Sequence, residues 1–246
     1  MELYSPEGLR VDGRRWNELR RFYCRINTHP IVADGSAYVE AGNTKIVCLL
    51  NGPHEPTRSQ MNTQKGSLDI KLHVSPFSTT ERRKVTRNDR RIQELSTILK
   101  NTFEQVVILK NYPRTIIEVN VRVLAQDGGL LAACCNAITL ALVDAGIALY
   151  DYISAVSAGV FDNQILLDLN RLEEQDLSSV TIGVVGKTKK LSLVLSETRL
   201  PQDRLAKVFE VAVNGCHQLK DQMDAQVAKK GREKAITEEL KTNWVQ

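Results

Sequence analysis

The chain is 246 residues long, with 42% apolar residues and a formal net charge of +4. That length suits one large domain or two small fused ones, and the apolar content can fill a substantial core. The mild positive charge permits RNA binding without requiring it, no apolar run reaches the roughly eighteen residues of a membrane span, and the N-terminus lacks the apolar stretch of a secretory signal. The five cysteines (Cys24, Cys48, Cys134, Cys135 and Cys216) form no C-x-x-C pair, and the four histidines are scattered, so no metal site is expected. All five cysteines read as reduced, mostly buried thiols of a cytosolic or nuclear protein.

After an irregular start, strands are expected at 22–28, 36–40, 44–50 and 68–74, punctuated by Gly35, Gly42-Asn43 and Gly52-Pro53. They read as an antiparallel meander. A polar loop containing Arg58 precedes the fourth. Ile92, Leu95, Leu99, Phe103 and Val106 recur at helical spacing and predict an amphipathic helix over 90–109, stopped by Asn111-Tyr112-Pro113. Strict alternation predicts a strand over 115–124. Asp127-Gly128-Gly129 then leads into a second helix over 130–145, apolar almost all round and therefore buried, with Gly146 at its end.

The second half repeats the theme, with strands expected at 153–161, 165–169, 180–185 and 191–196. Pro201 opens a third helix to about residue 230, followed by a charged tail over 231–246 that is expected to fray. Strands and helices are grouped rather than strictly alternating, the pattern of an α+β fold, here a pseudo-repeat with halves of about 1–150 and 151–230.

Charge is distributed unevenly. Arg14, Arg15, Arg20, Arg21 and Arg25 crowd the N-terminal part, and a basic run precedes the first helix, whereas 162–176 is acidic. Asn88 or Asp89 is the expected N-cap of that helix, so Arg90 and Arg91 fall in its first turn. Backbone N–H groups are unpaired there and the macrodipole is positive, so a cation costs a few tenths of a kcal/mol. Arginines at a helix start make a strong anion site, with nucleic acid the obvious anion. A solvated charged face is the plainer alternative.

Four segments in order carry a resemblance: Gly8-Leu9-Arg10-Val11-Asp12-Gly13-Arg14-Arg15-Trp16-Asn17-Glu18-Leu19-Arg20, the Arg90-Arg91 helix, Gln126 to Gly129, and Leu167-Asp168-Leu169-Asn170. Together they resemble the RNase PH–like proteins, most of all those that build the ring of the eukaryotic RNA exosome. The resemblance implies the RNase PH fold, which is also that of ribosomal protein S5 domain 2. Active members use inorganic phosphate to release nucleoside diphosphates from RNA 3′ ends. On this resemblance, Arg90 and Arg91 hold RNA phosphates and Arg58 lies in the loop that narrows the ring's channel.

Two parts of the active site are missing by the same comparison. Active relatives follow the D-G-G turn with Ser or Thr and then Arg, whereas here Gly128-Gly129 is followed by Leu130 and Leu131. Active relatives also carry two aspartates six residues apart; here the first position falls near Glu174, and the second falls at Ser179 or Val180, with Asp176 out of register. Read as residues alone, Glu173, Glu174 and Asp176 form a solvent-facing loop. The implied function is a non-catalytic ring subunit, not an enzyme and without a cofactor, that threads single-stranded RNA. Its implied partners are other RNase PH–like subunits in a six-membered ring, S1/KH cap proteins and an RNase II–type hydrolase, in nucleus, nucleolus and cytoplasm. Two readings stay open beside it: an active phosphorolytic enzyme using Glu174 or Asp176 as acid, and an unrelated α+β module that binds an acidic protein.

Overall fold

The computed structural model describes residues 8–55, 65–82, 89–161, 164–188 and 190–244. Five strands build the first sheet: β1 (Phe22–Ile26), β2 (Gly35–Ala41), β3 (Thr44–His54), β4 (Ser67–Val74) and β5 (Ile116–Ala125), in the order β1-β2-β3-β5-β4. The first three form the expected antiparallel meander. The fourth departs from it: β5 inserts beside β3, and β4 pairs with β5 in parallel. Helix α1 (Arg90–Glu104) lies between β4 and β5 in sequence. A crossover through a helix returns the chain in the same direction, so β4-α1-β5 is a parallel unit that a meander cannot accommodate.

The second sheet, in the order β7-β6-β8-β9, is antiparallel throughout. It contains β6 (Ile153–Phe161), β7 (Gln164–Leu167), β8 (Ser178–Val185) and β9 (Leu191–Ser196). Helix α2 (Leu130–Asp144) contacts strands of both sheets, which is why it is apolar on every side. Its Cys134, Ile138 and Leu142 are fully buried, and its two buried polar residues each find β6: Asn136 pairs with both backbone groups of Ala155, and Thr139 donates to the Ile153 carbonyl. Unpaired, each would cost about 1–3 kcal/mol.

The helices differ from expectation in three main places. Helix α1 stops at Glu104, five residues early, because Val106 and Val107 turn inward and Val107 bridges to Leu149; β-branched side chains favour that change. A short helix α3 (Arg171–Asp176) replaces the expected acidic loop, nucleated by a capping box between Asn170 and Glu173. The last helix, α4 (Gln202–Trp244), continues past residue 230 instead of ending there. Lys234 on this extension pairs with Asp144 at 3.2 Å, tying it to the end of α2.

Among the described residues no helix is long and apolar enough to cross a membrane. All five cysteines are free and buried.

Candidate nucleic-acid interface and anion site

The D-G-G turn sets the site. Gly128 and Gly129 both have positive φ, 79° and 61°, and α2 begins immediately after them. A Cβ on Gly128 would sit 2.5 Å from the Leu169 carbonyl oxygen, and one on Gly129 would sit 2.8 Å from Arg20 Nη2. Glycine is therefore required here both for conformation and for space. The first α2 N–H groups open onto this turn, a place that favours an anion.

No cation or hydroxyl from α2 lines that mouth. Leu131 is buried and Leu130 half-buried, and both pack into the core beneath. A carboxylate of the same chain approaches instead. Glu174, half-buried on α3, receives the Gly129 backbone N–H and lies within electrostatic reach of Arg20 and Arg91. Burial pushes its carboxyl above the ordinary range, with Glu197 adding repulsion, against the pull of that N–H and the two guanidiniums.

The acidic segment is thus not a solvent-facing loop. Its three carboxylates have three different roles. Glu173 is 2% exposed and ion-paired to Arg10; Glu174 faces the turn; only Asp176 is exposed, so it takes no part in the site. The acidic pair expected at Glu174 and Asp176 reduces to Glu174 alone.

A buried polar network fixes this arrangement, and its importance was not read from the sequence. Arg10 Nε donates to Glu173 at 2.7 Å, while its two Nη groups donate to the Leu167 and Asp168 carbonyls at 2.5 and 3.0 Å. Arg14 reaches the same Asp168 carbonyl at 3.0 Å. Arg20 clamps the Asp168 carboxylate through Nε at 3.0 Å and Nη2 at 2.7 Å, and donates to the Asp127 carbonyl at 2.6 Å. Asp168 itself sits at φ 55°. Three basic residues of the N-terminal segment are therefore engaged in holding the D-G-G turn and α3, and are not free for a polyanion. The signal was available: the three arginines recur in one short motif around Asp12-Gly13, ahead of the L-D-L-N segment they grip.

At the start of α1, Asp89 rather than Asn88 is the N-cap, its side chain accepting from the Arg91 N–H at 3.1 Å. Arg90 and Arg91 are both exposed. Arg90 pairs with Glu94 one turn on at 3.0 Å, but its side chain is 92% exposed, so the pair is weak. The structure therefore brings together Gly128, Gly129, Leu130, Leu131 and Glu174, with Arg91 near enough to act on Glu174. Arg58 lies outside the described residues. Among the described residues no cluster of His, Cys, Asp and Glu could hold a metal ion.

Comparison with known proteins accounts for both halves of the chain. Residues 18–148 match the 3′ exoribonuclease family, domain 1, and residues 151–215 match domain 2 of the same family. The exosome complex component SKI6 of Saccharomyces cerevisiae is 52% identical over 231 residues, covering 93% of this chain and 94% of the relative. The human exosome complex component RRP41 is 36% identical over 239 residues, covering 96% and 97%. Among solved structures, rice Rrp46 superposes with a TM-score of 0.80 at 27% identity, over 89% of this chain and 100% of that one. A chain of the Archaeoglobus fulgidus exosome with RNA bound to the active site shares the fold, with a TM-score of 0.75 at 21% identity over 88% and 93%.

Proposed function

The chain belongs to the 3′ exoribonuclease family, both of whose domains it carries, and on that premise we propose that it is a non-catalytic ring subunit of an RNA exosome. In this reading it grips single-stranded RNA 3′ ends at Arg90 and Arg91 and passes them to an associated 3′–5′ exoribonuclease, in RNA processing and decay. The relatives named as exosome components, similar over nearly their whole length, support the assembly. Its partners are other RNase PH–like subunits in a six-membered ring, S1/KH cap proteins and an RNase II–type hydrolase, in nucleus, nucleolus and cytoplasm.

One observation supports the absence of catalysis: α2 opens with Leu130 and Leu131, which pack into the core and offer neither a hydroxyl nor a guanidinium to the turn. Phosphorolysis must bring a phosphate dianion up to a phosphodiester, and the repulsion needs a fixed cation or donor. Losing one preorganised donor of that kind removes about 3 kcal/mol of transition-state stabilisation. Arg90 and Arg91 keep the grip, which is electrostatic and blind to base sequence. Glutamate at both positions is expected to shorten or abolish the RNA segment protected from nuclease by the assembled ring. Unchanged protection would refute the grip.

A second reading draws on Glu174 itself. A carboxyl with a raised pKa beside the turn is suited to give up a proton, and residual phosphorolysis would use it so. It lacks a cation from α2 to hold the attacking phosphate, and is therefore the weaker of the two.

A further inference from the structure

The first sheet turns its apolar side chains towards α1 and α2, where Cys24, Val39, Ile46, Cys48 and Val121 are buried. The alternate residues point the other way, and Tyr23, Arg25, Lys45, Lys71, His73 and Arg122 are exposed. The strand register arranges part of this face in one line. Arg25 sits opposite Tyr38, Tyr38 opposite Val47, Val47 opposite Arg122, and Arg122 opposite His73. Five strands at the usual spacing make that line about 19 Å long, edge to edge. Tyr23, 45% exposed, stands two residues from Arg25 on the same side.

The charges on this face are not balanced. Its carboxylates are taken up locally: Glu40 accepts from the Tyr38 hydroxyl at 2.5 Å and lies 3.5 Å from Lys45, while Asp69 and Glu118 flank Lys71 at 3.3 and 3.6 Å. Arg25 and Arg122 have no ion pair among the described residues. Two unpaired guanidiniums on one line, with tyrosine rings beside the first, suit a flexible polyanion that also offers flat rings. The guanidinium fork takes phosphate, and aromatic faces stack bases whatever their identity. The dry centre of a stable protein interface needs more apolar surface than Val47 and Leu49, both half-buried, provide.

We propose that this face is a second surface for single-stranded RNA, with the backbone carried across Arg25 and Arg122 and bases resting on Tyr23 and Tyr38. It rests on the reading of the chain as an RNA-binding subunit, but not on Arg90 and Arg91, since α1 packs against the opposite face of the sheet. Its role would be to hold an RNA segment outside the path that α1 serves.

The test is fluorescence anisotropy of labelled oligouridylate on the full chain purified with its native partners, over a range of salt. Arg25→Glu with Arg122→Glu is expected to weaken binding about tenfold and to lower the salt slope by about 1.4, the value for two phosphate contacts on a single strand. Tyr23→Ala is expected to weaken it about fivefold and leave the slope unchanged. All three side chains are exposed, and circular dichroism is the check that the variants fold. Arg90→Glu with Arg91→Glu is measured in parallel: if that variant is silent and the sheet variant is not, the sheet surface stands and the α1 grip fails. Wild-type affinity in the sheet variants overturns the proposal. So does crosslinking that finds a protein partner, and no RNA, on β1 and β5 in the intact assembly.

Discussion

Removing the Glu173 carboxylate should destabilise the protein more than any surface substitution, and the structure sets the size. The Arg10 side chain is fully buried and that of Glu173 is 2% exposed. In Glu173→Ala, the Arg10 guanidinium keeps only the Leu167 and Asp168 carbonyls and stays buried without its counter-charge. The Asn170 N–H also loses its acceptor at 2.9 Å, and with it the capping box that starts α3. Breaking a buried pair from one side costs about 3–5 kcal/mol, a large share of the roughly 5–15 kcal/mol that holds a domain together. At about 2–4 °C per kcal/mol for a chain of this size, the melting temperature should fall by roughly 6–20 °C. Thermal and urea unfolding measure it. Arg10→Met combined with Glu173→Leu should recover most of the loss, because a buried pair replaced from both sides is nearly neutral. A loss below about 1 kcal/mol for the single variant, or a double variant that loses the sum of both singles, would refute the role given to this pair.

Three further outcomes follow from the same geometry. Gly128→Ala should cost at least about 1–2 kcal/mol for its left-handed backbone alone, with more for the approach to Leu169; a melt within error of wild type would contradict the turn as described. The raised Glu174 carboxyl means that the folded state binds the proton more tightly than the unfolded state, so Glu174 lowers stability as pH rises through and above the ordinary carboxylate range. Glu174→Gln should therefore match or exceed wild-type stability at neutral pH, and the difference should vanish in acid, where both states are protonated; a destabilised variant at neutral pH would show that the carboxylate is a net anchor. Burial holds the Cys24 thiol up to about 11 and those of Cys135 and Cys216 up to about 12, so a thiolate-selective reagent near pH 8 should label the cysteines only after denaturation. Fast labelling of the native protein would contradict that burial.

Most elements were legible because their signals are local. Alternation marked β5, and the spacing of Ile92, Leu95, Leu99 and Phe103 marked α1 and placed Arg90 and Arg91 in its first turn. What escaped is non-local or was masked by composition. The parallel pairing of β4 with β5 depends on where the chain returns after α1, which no property of 67–74 encodes. The helix α3 was hidden because Glu173 and Glu174 read as a charge run, although Asn170 and Glu173 hold capping-box spacing. Arg10 and Glu173 are 163 residues apart, so neither flags the other as a partner. For the same reason the burial of Arg10 and Arg20 is not legible in the N-terminal segment. At the candidate site, the apolar pair Leu130-Leu131 after the D-G-G turn was visible in the sequence, but the approach of Glu174 to Gly129 was not, because it depends on the turn at Asp168 and the short helix after it.

The most direct measurement is the products formed from a 3′-terminal RNA by the intact assembly, with any hydrolytic subunit inactivated, as inorganic phosphate is raised. If the proposed site grips RNA while Leu130 and Leu131 leave the incoming phosphate without a hydroxyl or guanidinium from α2, the assembly should release no nucleoside diphosphate at any phosphate concentration. Release of nucleoside diphosphates that grows with phosphate and is lost in Glu174→Gln would contradict it.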